Sequence, residues 1–118
     1  MAIHADYIVI NDGEFALNPG ETQTFHDPVP GNVVLGTNRA KPILSFRARA
    51  TPSGGSFVVE VNDTQIYSDT LSEGDVRVLW ETFPGTLLNP GITNTVQFRS
   101  THNKVWFADV VLWLRIET

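Results

Sequence analysis

Trp80, Trp106 and Trp113 are the residues of this chain best suited to recognising a molecule with both apolar and polar surface. A sugar ring has an apolar face that stacks on indole, while its hydroxyls need carboxylates, amides or guanidinium groups nearby. Trp80 stands beside Glu81 and close to Arg77, and Arg47 and Arg49 alternate along a second extended segment. If these two segments are neighbouring strands, Arg47, Arg49, Arg77 and Glu81 line one concave sheet face, and with Trp80 they form the candidate ligand site. The competing reading buries Trp80, because it alternates with Val76 and Val78 and burial is the ordinary fate of tryptophan. The arginines are then a solvated face with cross-strand ion pairs. Trp106 and Trp113 read as core residues or as a contact between subunits.

Metal and catalytic chemistry find less support. Asn11-Asp12-Gly13-Glu14 offers oxygen ligands but lacks the alternating carboxylates of a calcium loop, and a hairpin turn explains it better. His4 with Asp6, and His26 with Asp27, are isolated pairs, short of the three or four donors that zinc requires. His102 belongs to the polar turn Thr101-His102-Asn103. No nucleophile elbow, phosphate-cradling glycine loop or His-Glu-x-x-His helix is present. Glu60 and Glu81 are a conceivable carboxylate pair for glycoside hydrolysis, but 13 acidic residues supply such pairs by chance. The expectation is a binding protein without cofactor or metal, not an enzyme.

Alternation of apolar and polar residues, interrupted by turn residues, runs from end to end and predicts strands throughout. Tyr7–Ile10 and Glu14–Leu17 read as a hairpin about Asn11-Asp12-Gly13. Thr22–His26 and Val33–Leu35 are short strands, with a polar turn at Thr37-Asn38-Arg39. In Pro42–Ala50, Leu44, Phe46 and Ala48 share one face; in the next strand Phe57, Val59 and Val61 do. Gln65–Leu71 returns as a hairpin arm after Asn62-Asp63. Val76–Phe83 puts Val76, Val78 and Trp80 on one face and Arg77, Leu79 and Glu81 on the other. Thr93–Ser100 points Val96 and Phe98 inward. Val105–Ile116 is apolar on both faces: Trp106, Ala108, Val110, Leu112 and Leu114 on one, Val105, Phe107, Val111 and Trp113 on the other. A β-bulge is expected near Asp109, which interrupts the second set. These elements predict a single all-β domain over residues 1–118, a two-sheet antiparallel sandwich (jelly roll) of about eight strands, with a closed barrel as runner-up.

Composition narrows the partners. The 118 residues are 42% hydrophobic and 18% charged, with a net charge of -5 and no cysteine. An acidic surface repels phosphate backbones and anionic lipid, and the small basic spots at Arg39 and Lys41 do not form a stripe. Neither nucleic acid nor membrane is an expected partner, and no apolar run approaches the ~20 residues of a membrane span. The first residues lack the basic start and apolar stretch of a secretory signal. That leaves the compartment open between the cytoplasm, a signal-independent export route and a processed mature form.

The stretch from Val59-Glu60-Val61-Asn62-Asp63 through Val96-Gln97-Phe98 resembles the galactose-binding-like jelly-roll modules of carbohydrate-binding domains. Those modules show a strand ending in Val-Asn-Gly, and a later Leu-x-x-Gly-x-Asn-x-Val segment that opens another strand. Here Asp63 stands in place of that glycine, and Leu88-Asn89-Pro90-Gly91-Ile92-Thr93-Asn94-Thr95-Val96 has one residue more between Gly and Asn. Val110-Val111-Leu112-Trp113 is similar to their closing strand. The resemblance covers roughly the C-terminal half and implies a jelly-roll fold. Its motifs are turn chemistry, so no binding residue carries over.

The resulting expectation is a non-catalytic, lectin-like module that holds a glycan through an exposed aromatic residue and a few polar side chains. Self-association would add avidity. The alternative is a structural protein that assembles as a homo-oligomer through Val111 and Trp113. A small enzyme ranks third.

Overall fold

The computed structural model describes residues 2–35 and 41–117. The expected turn at Thr37-Asn38-Arg39, and with it Arg39 of the basic spot, lies outside the described residues. Eight strands follow one another: β1 Ile3–Leu17, β2 Thr22–Pro28, β3 Ile43–Ala50, β4 Gly55–Val61, β5 Thr64–Leu71, β6 Val76–Thr82, β7 Thr93–His102 and β8 Val105–Glu117. They form two antiparallel four-stranded sheets: sheet A in the order β1-β8-β3-β6, and sheet B in the order β2-β7-β4-β5. First strand beside last, second beside seventh and third beside both sixth and eighth is the jelly-roll arrangement. The sheets do not close into a barrel.

The alternation in β3, β4 and β7 sets the core. Leu44, Phe46 and Ala48 from sheet A meet Phe57, Val59, Val61, Val96 and Phe98 from sheet B, all buried. Phe98 and Phe107 lie 4.9 Å apart between ring centroids, and Phe46 lies 5.2 Å from Phe98. The first contact is tilted and the second edge-to-face, and aromatic pairs of these kinds add to the burial of large rings.

β8 departs from simple alternation. Asp109 adopts a positive φ of 55°, and the register of β8 against both β1 and β3 shifts at its level. The extra residue reverses the phase of the strand. Val105 and Phe107 before the bulge, and Val110, Leu112 and Leu114 after it, all face the core. Trp106, Val111 and Trp113 face outward, so the grouping of Trp106 with Val110, Leu112 and Leu114 is corrected by the expected bulge itself.

Two local expectations also change. Asn11-Asp12-Gly13 is not a hairpin: β1 is one strand of 15 residues, and both its halves pair with β8. The tripeptide bulges opposite Val110, and Asn11 Nδ2 donates to Gly13 O at 2.9 Å to close it. Val33–Leu35 forms no strand; Val33 makes a single bridge to Ile116, and Val34 N–H donates to Arg115 O. Asn62 and Asp63 do make the β4–β5 hairpin, with positive φ values of 46° and 68° as a two-residue type I′ turn requires.

Asn62 and Asn94, the asparagines of the two motifs, meet each other. Asn62 Nδ2 donates to Asn94 Oδ1 at 2.7 Å and to Leu87 O at 2.7 Å, and Thr95 N–H donates to Asn62 Oδ1 at 2.8 Å. Asn94 is 3% exposed; its oxygen also accepts from Asn89 N–H, and its Nδ2 donates to Asn89 O and Ile92 O. The pair pins the loop before β7 to the β4–β5 turn with no side-chain polar atom left unmatched. Truncating Asn94 strands several buried groups at once, at about 1–3 kcal/mol for an unsatisfied group. Asn94→Ala is expected to lose about 3 kcal/mol of unfolding free energy, read from urea denaturation; a loss under about 1 kcal/mol would show that water replaces these bonds freely.

Candidate functional site

The two outer faces of the sandwich differ sharply. On sheet B the outward residues include Thr22, Thr24, Gln97, Ser56, Glu60 and Thr70, as the cross-strand registers Thr24↔Gln97 and Ser56↔Thr70 require. On sheet A the outward residues include Tyr7 and Val9 from β1, Val111 and Trp113 from β8, and Val78 and Trp80 from β6. Tyr7 is 57%, Trp80 56% and Val78 66% exposed. Water meets a polar sheet on one side and an aromatic one on the other, and a contiguous exposed apolar patch marks an interaction surface.

The rings form a row across the strands. Tyr7 pairs directly with Trp113, their centroids 5.2 Å apart, and Trp113 lies 5.3 Å from Trp80. β3 runs between β8 and β6 and leaves room for this because it presents Ser45 there, opposite Trp80 on one side and Val111 on the other. The indole N–H of Trp113 donates to Ser45 Oγ at 2.8 Å, which fixes the ring over the small residue. A shallow cleft flanks the tryptophan pair on each side. One, of about 260 Å³, has Lys41, Ile43, Ala5 and Arg115 in its walls. The other, of about 320 Å³, is walled by Arg47, Val78, Asp109 and Val111.

Beyond the second cleft the face becomes charged. Arg47 Nη2 lies 3.7 Å from Asp109 Oδ2, both groups exposed. Arg49 donates from Nε and Nη2 to the two oxygens of Glu14, each at 3.0 Å. Those bonds hold the Glu14 carboxyl below the usual carboxylate range. The Arg49 guanidinium also lies 4.2 Å from the centre of the Trp106 ring, and Lys104 Nζ lies 5.0 Å from it. Trp106 is therefore occupied by cations of its own chain.

The five expected ligand residues fall into two places. Trp80 is not core; it stands on the outer face of sheet A with Arg47 and Arg49. Arg77 and Glu81 lie on the opposite face of β6, because the register sets Leu79 against Phe46 and Trp80 against Ser45. Leu79 is the buried residue of that strand, and Val78 and Trp80 on either side of it point out. The expected contact residues Val111 and Trp113 lie on the same surface as Trp80, so the two sets are one surface. Tyr7, which the sequence reading left in an ordinary strand, completes the row; its signal is the cross-strand pairing with Trp113.

Arg77 and Glu81 sit at the rim between the sheets. Arg77 Nη1 donates to Asp69 Oδ2 at 2.6 Å, and Tyr67 Oη donates to the same oxygen at 2.8 Å. Burial and this acceptor push the Tyr67 hydroxyl up to about 12. Burial, then the neighbouring Asp69 charge, raise the Glu81 carboxyl above its ordinary 4.5, with Arg77 opposing. The folded chain therefore binds the Glu81 proton more tightly than the unfolded chain, and stability falls as pH rises through the raised value. Glu81→Gln is expected to melt above the parent at pH 7, the two converging below 4.5; a gap that does not change across this range in thermal melts would contradict the cause given.

No protein-family model matches the chain, and no curated protein does. Solved structures do, at low identity. The chain is similar to part of dimeric latent PorU from Porphyromonas gingivalis, with a TM-score of 0.69 and 14% identity over 99% of this chain and 13% of that one. It is similar to part of BuGH86 in complex with neoagarooctaose, with a TM-score of 0.70 and 13% identity over 96% of this chain and 19% of that one. It is also similar to part of the infectious bursal disease virus protein in the T13 particle, with a TM-score of 0.62 and 13% identity over 98% of this chain and 31% of that one. The chain thus spans a third or less of the length of these proteins, and what it shares with them is the β-sandwich fold.

Proposed function

We propose that the outer face of sheet A is a glycan-binding platform, and that the chain is a non-catalytic, lectin-like module of the jelly-roll kind. The observation that carries this reading is the row Tyr7–Trp113–Trp80, exposed at both ends with Trp113 half-buried between them, on a sheet whose opposite number is polar. Sugars present an apolar face edged by hydroxyls, and this platform presents rings edged by Arg47, Asp109, Lys41 and Arg115. The long contact between Arg47 and Asp109 leaves donors and acceptors free to take hydroxyls in place of water. Binding is favoured over catalysis because Glu14 and Asp109, the carboxylates of this charged flank, both face arginines. Similar sandwiches in BuGH86 with neoagarooctaose and in a virus particle give both glycan binding and assembly a counterpart, and carry neither.

A second reading draws on the aliphatic part of the same face. Val76, Val78 and Val9 are exposed beside the rings, and a flat partner sheet would cover them as readily as a sugar would cover the indoles. In that case the platform is an assembly surface, with Val111 and Trp113 at its centre.

On a glycan array the protein is expected to bind a related set of glycans saturably. Trp80→Ala and Arg47→Ala should each weaken the best ligand at least about tenfold, a change worth roughly 1.4 kcal/mol. Both side chains stand outside the core, so melting temperatures should stay near the parent's. Absence of saturable binding, or an unchanged Kd in Trp80→Ala, would defeat the glycan reading. If a Trp113→Asp variant then separates a stable oligomer into folded monomers, the assembly reading takes its place.

A further inference from the structure

We propose that the outer edge of β1, which no other strand pairs among the described residues, pairs antiparallel with β1 of a second copy of this chain, with Ala5 on the two-fold axis. The two jelly rolls then share one continuous eight-stranded sheet. This inference does not depend on what the platform binds.

Sheet edges are usually blunted by proline, lysine, a bulge or brevity. β2 is seven residues long and carries Pro28, and β6 is seven residues long and carries Arg77. β5 is tied towards β6 by the Asp69–Arg77 bond. The edge strand β1 is 15 residues long, and its stretch Ile3–Val9 has no proline, no lysine or arginine and no register shift. The Tyr7 N–H donates to the exposed Asp6 Oδ1 at 2.8 Å, so it points away from β8 to the open side. Backbone direction alternates along a strand, so Ile3 and Ala5 present their N–H and C=O groups to the same side.

The sequence of this stretch is complementary to itself in one register. With Ala5 on the axis, Ile3 of each copy faces Tyr7 of the other, and His4 of each faces Asp6 of the other. Three hydrogen-bonded residue pairs give about six backbone bonds, two of them from Tyr7 N–H groups that exchange the Asp6 carboxylate of their own chain for the partner's carbonyl. Ile3 and Tyr7, 60% and 57% exposed in the single chain, cover each other on the outer face. Moving the axis to Asp6 sets two like charges opposite each other. Moving it to Tyr7 sets Asp6 against Ile8 and takes the His4 imidazole away from it. The chosen register also brings the two aromatic rows together on one side of the joined sheet, which doubles the valency of the platform.

The chain has no cysteine, so a single introduced thiol reports on the axis cleanly. Opposed residues of a hydrogen-bonded antiparallel pair lie about 5.5 Å apart at Cα, within reach of a disulfide. Light scattering should give twice the chain mass for the parent and for Trp80→Ala. Ala5→Cys should form a disulfide-linked dimer on mild oxidation, while Thr86→Cys, exposed elsewhere, should not. Ala5→Pro removes an outward N–H that an edge strand can spare, and should give a folded monomer with a melting temperature near the parent's. A parent of single-chain mass at every concentration from micromolar to millimolar would overturn the proposal. So would a dimer that Trp80→Ala dissociates, or an Ala5→Cys variant that crosslinks no better than Thr86→Cys. If Ala5→Pro fails to fold, the comparison of the two cysteine variants decides alone.

Discussion

One extra residue in the last strand governs both surfaces of sheet A. β8 lies between β1 and β3, so whatever its side chains do is imposed on both neighbours. A strand that alternated without interruption could not turn both Phe107 and Val110 to the core, since they are three residues apart. The bulge at Asp109 removes the conflict, and the register shifts beside it in β1 and β3 are the neighbours' adjustments to it. Because the inward set stays inward on both sides of the bulge, Trp106 and Trp113 both turn outward. The core and the aromatic face are thus two results of a single backbone irregularity.

The core strands were readable because a central strand has a decisive pattern. In β3, β4 and β7 the large apolar residues fall in one phase and the other phase is polar except at Ile43 and Val58, so only one face can be inside. β6 was misread for the opposite reason. An edge strand over the rim of a sandwich buries one residue, Leu79, while Val76, Val78 and Trp80 make the more hydrophobic face and point to water. Alternation tells which residues share a face; it does not say which face is covered. The same limit split the candidate site: Arg47 and Arg49 were rightly joined, and Arg77 and Glu81 belong behind the sheet from them.

Turn chemistry misled in a different way. Asn11-Asp12-Gly13 has the residue types of a tight hairpin, yet none of the three takes a positive φ, and the Asn11 side chain closes a bulge instead. What decides between them is the length of the partner strand, which lies almost a hundred residues further on. Asn62-Asp63 has the same kind of chemistry, and there the partner follows at once, so the local signal sufficed. The link between Asn62 and Asn94 was visible only as two separate asparagine motifs. Their contact needs the pairing of β4 with β7, which no local pattern contains.

Ile3 lies opposite Glu117 in the antiparallel pairing of the first and last strands. The two ends of the described chain therefore leave the molecule at the same corner, side by side. A tension applied between them would load the bonds of that ladder one at a time, from Ile3 towards Leu17, instead of all together. Such a ladder opens like a zipper under low force. If this chain is tethered at both ends in a longer polypeptide, it is a mechanically soft link, and the buried phenylalanines give it no protection until β1 has already peeled away.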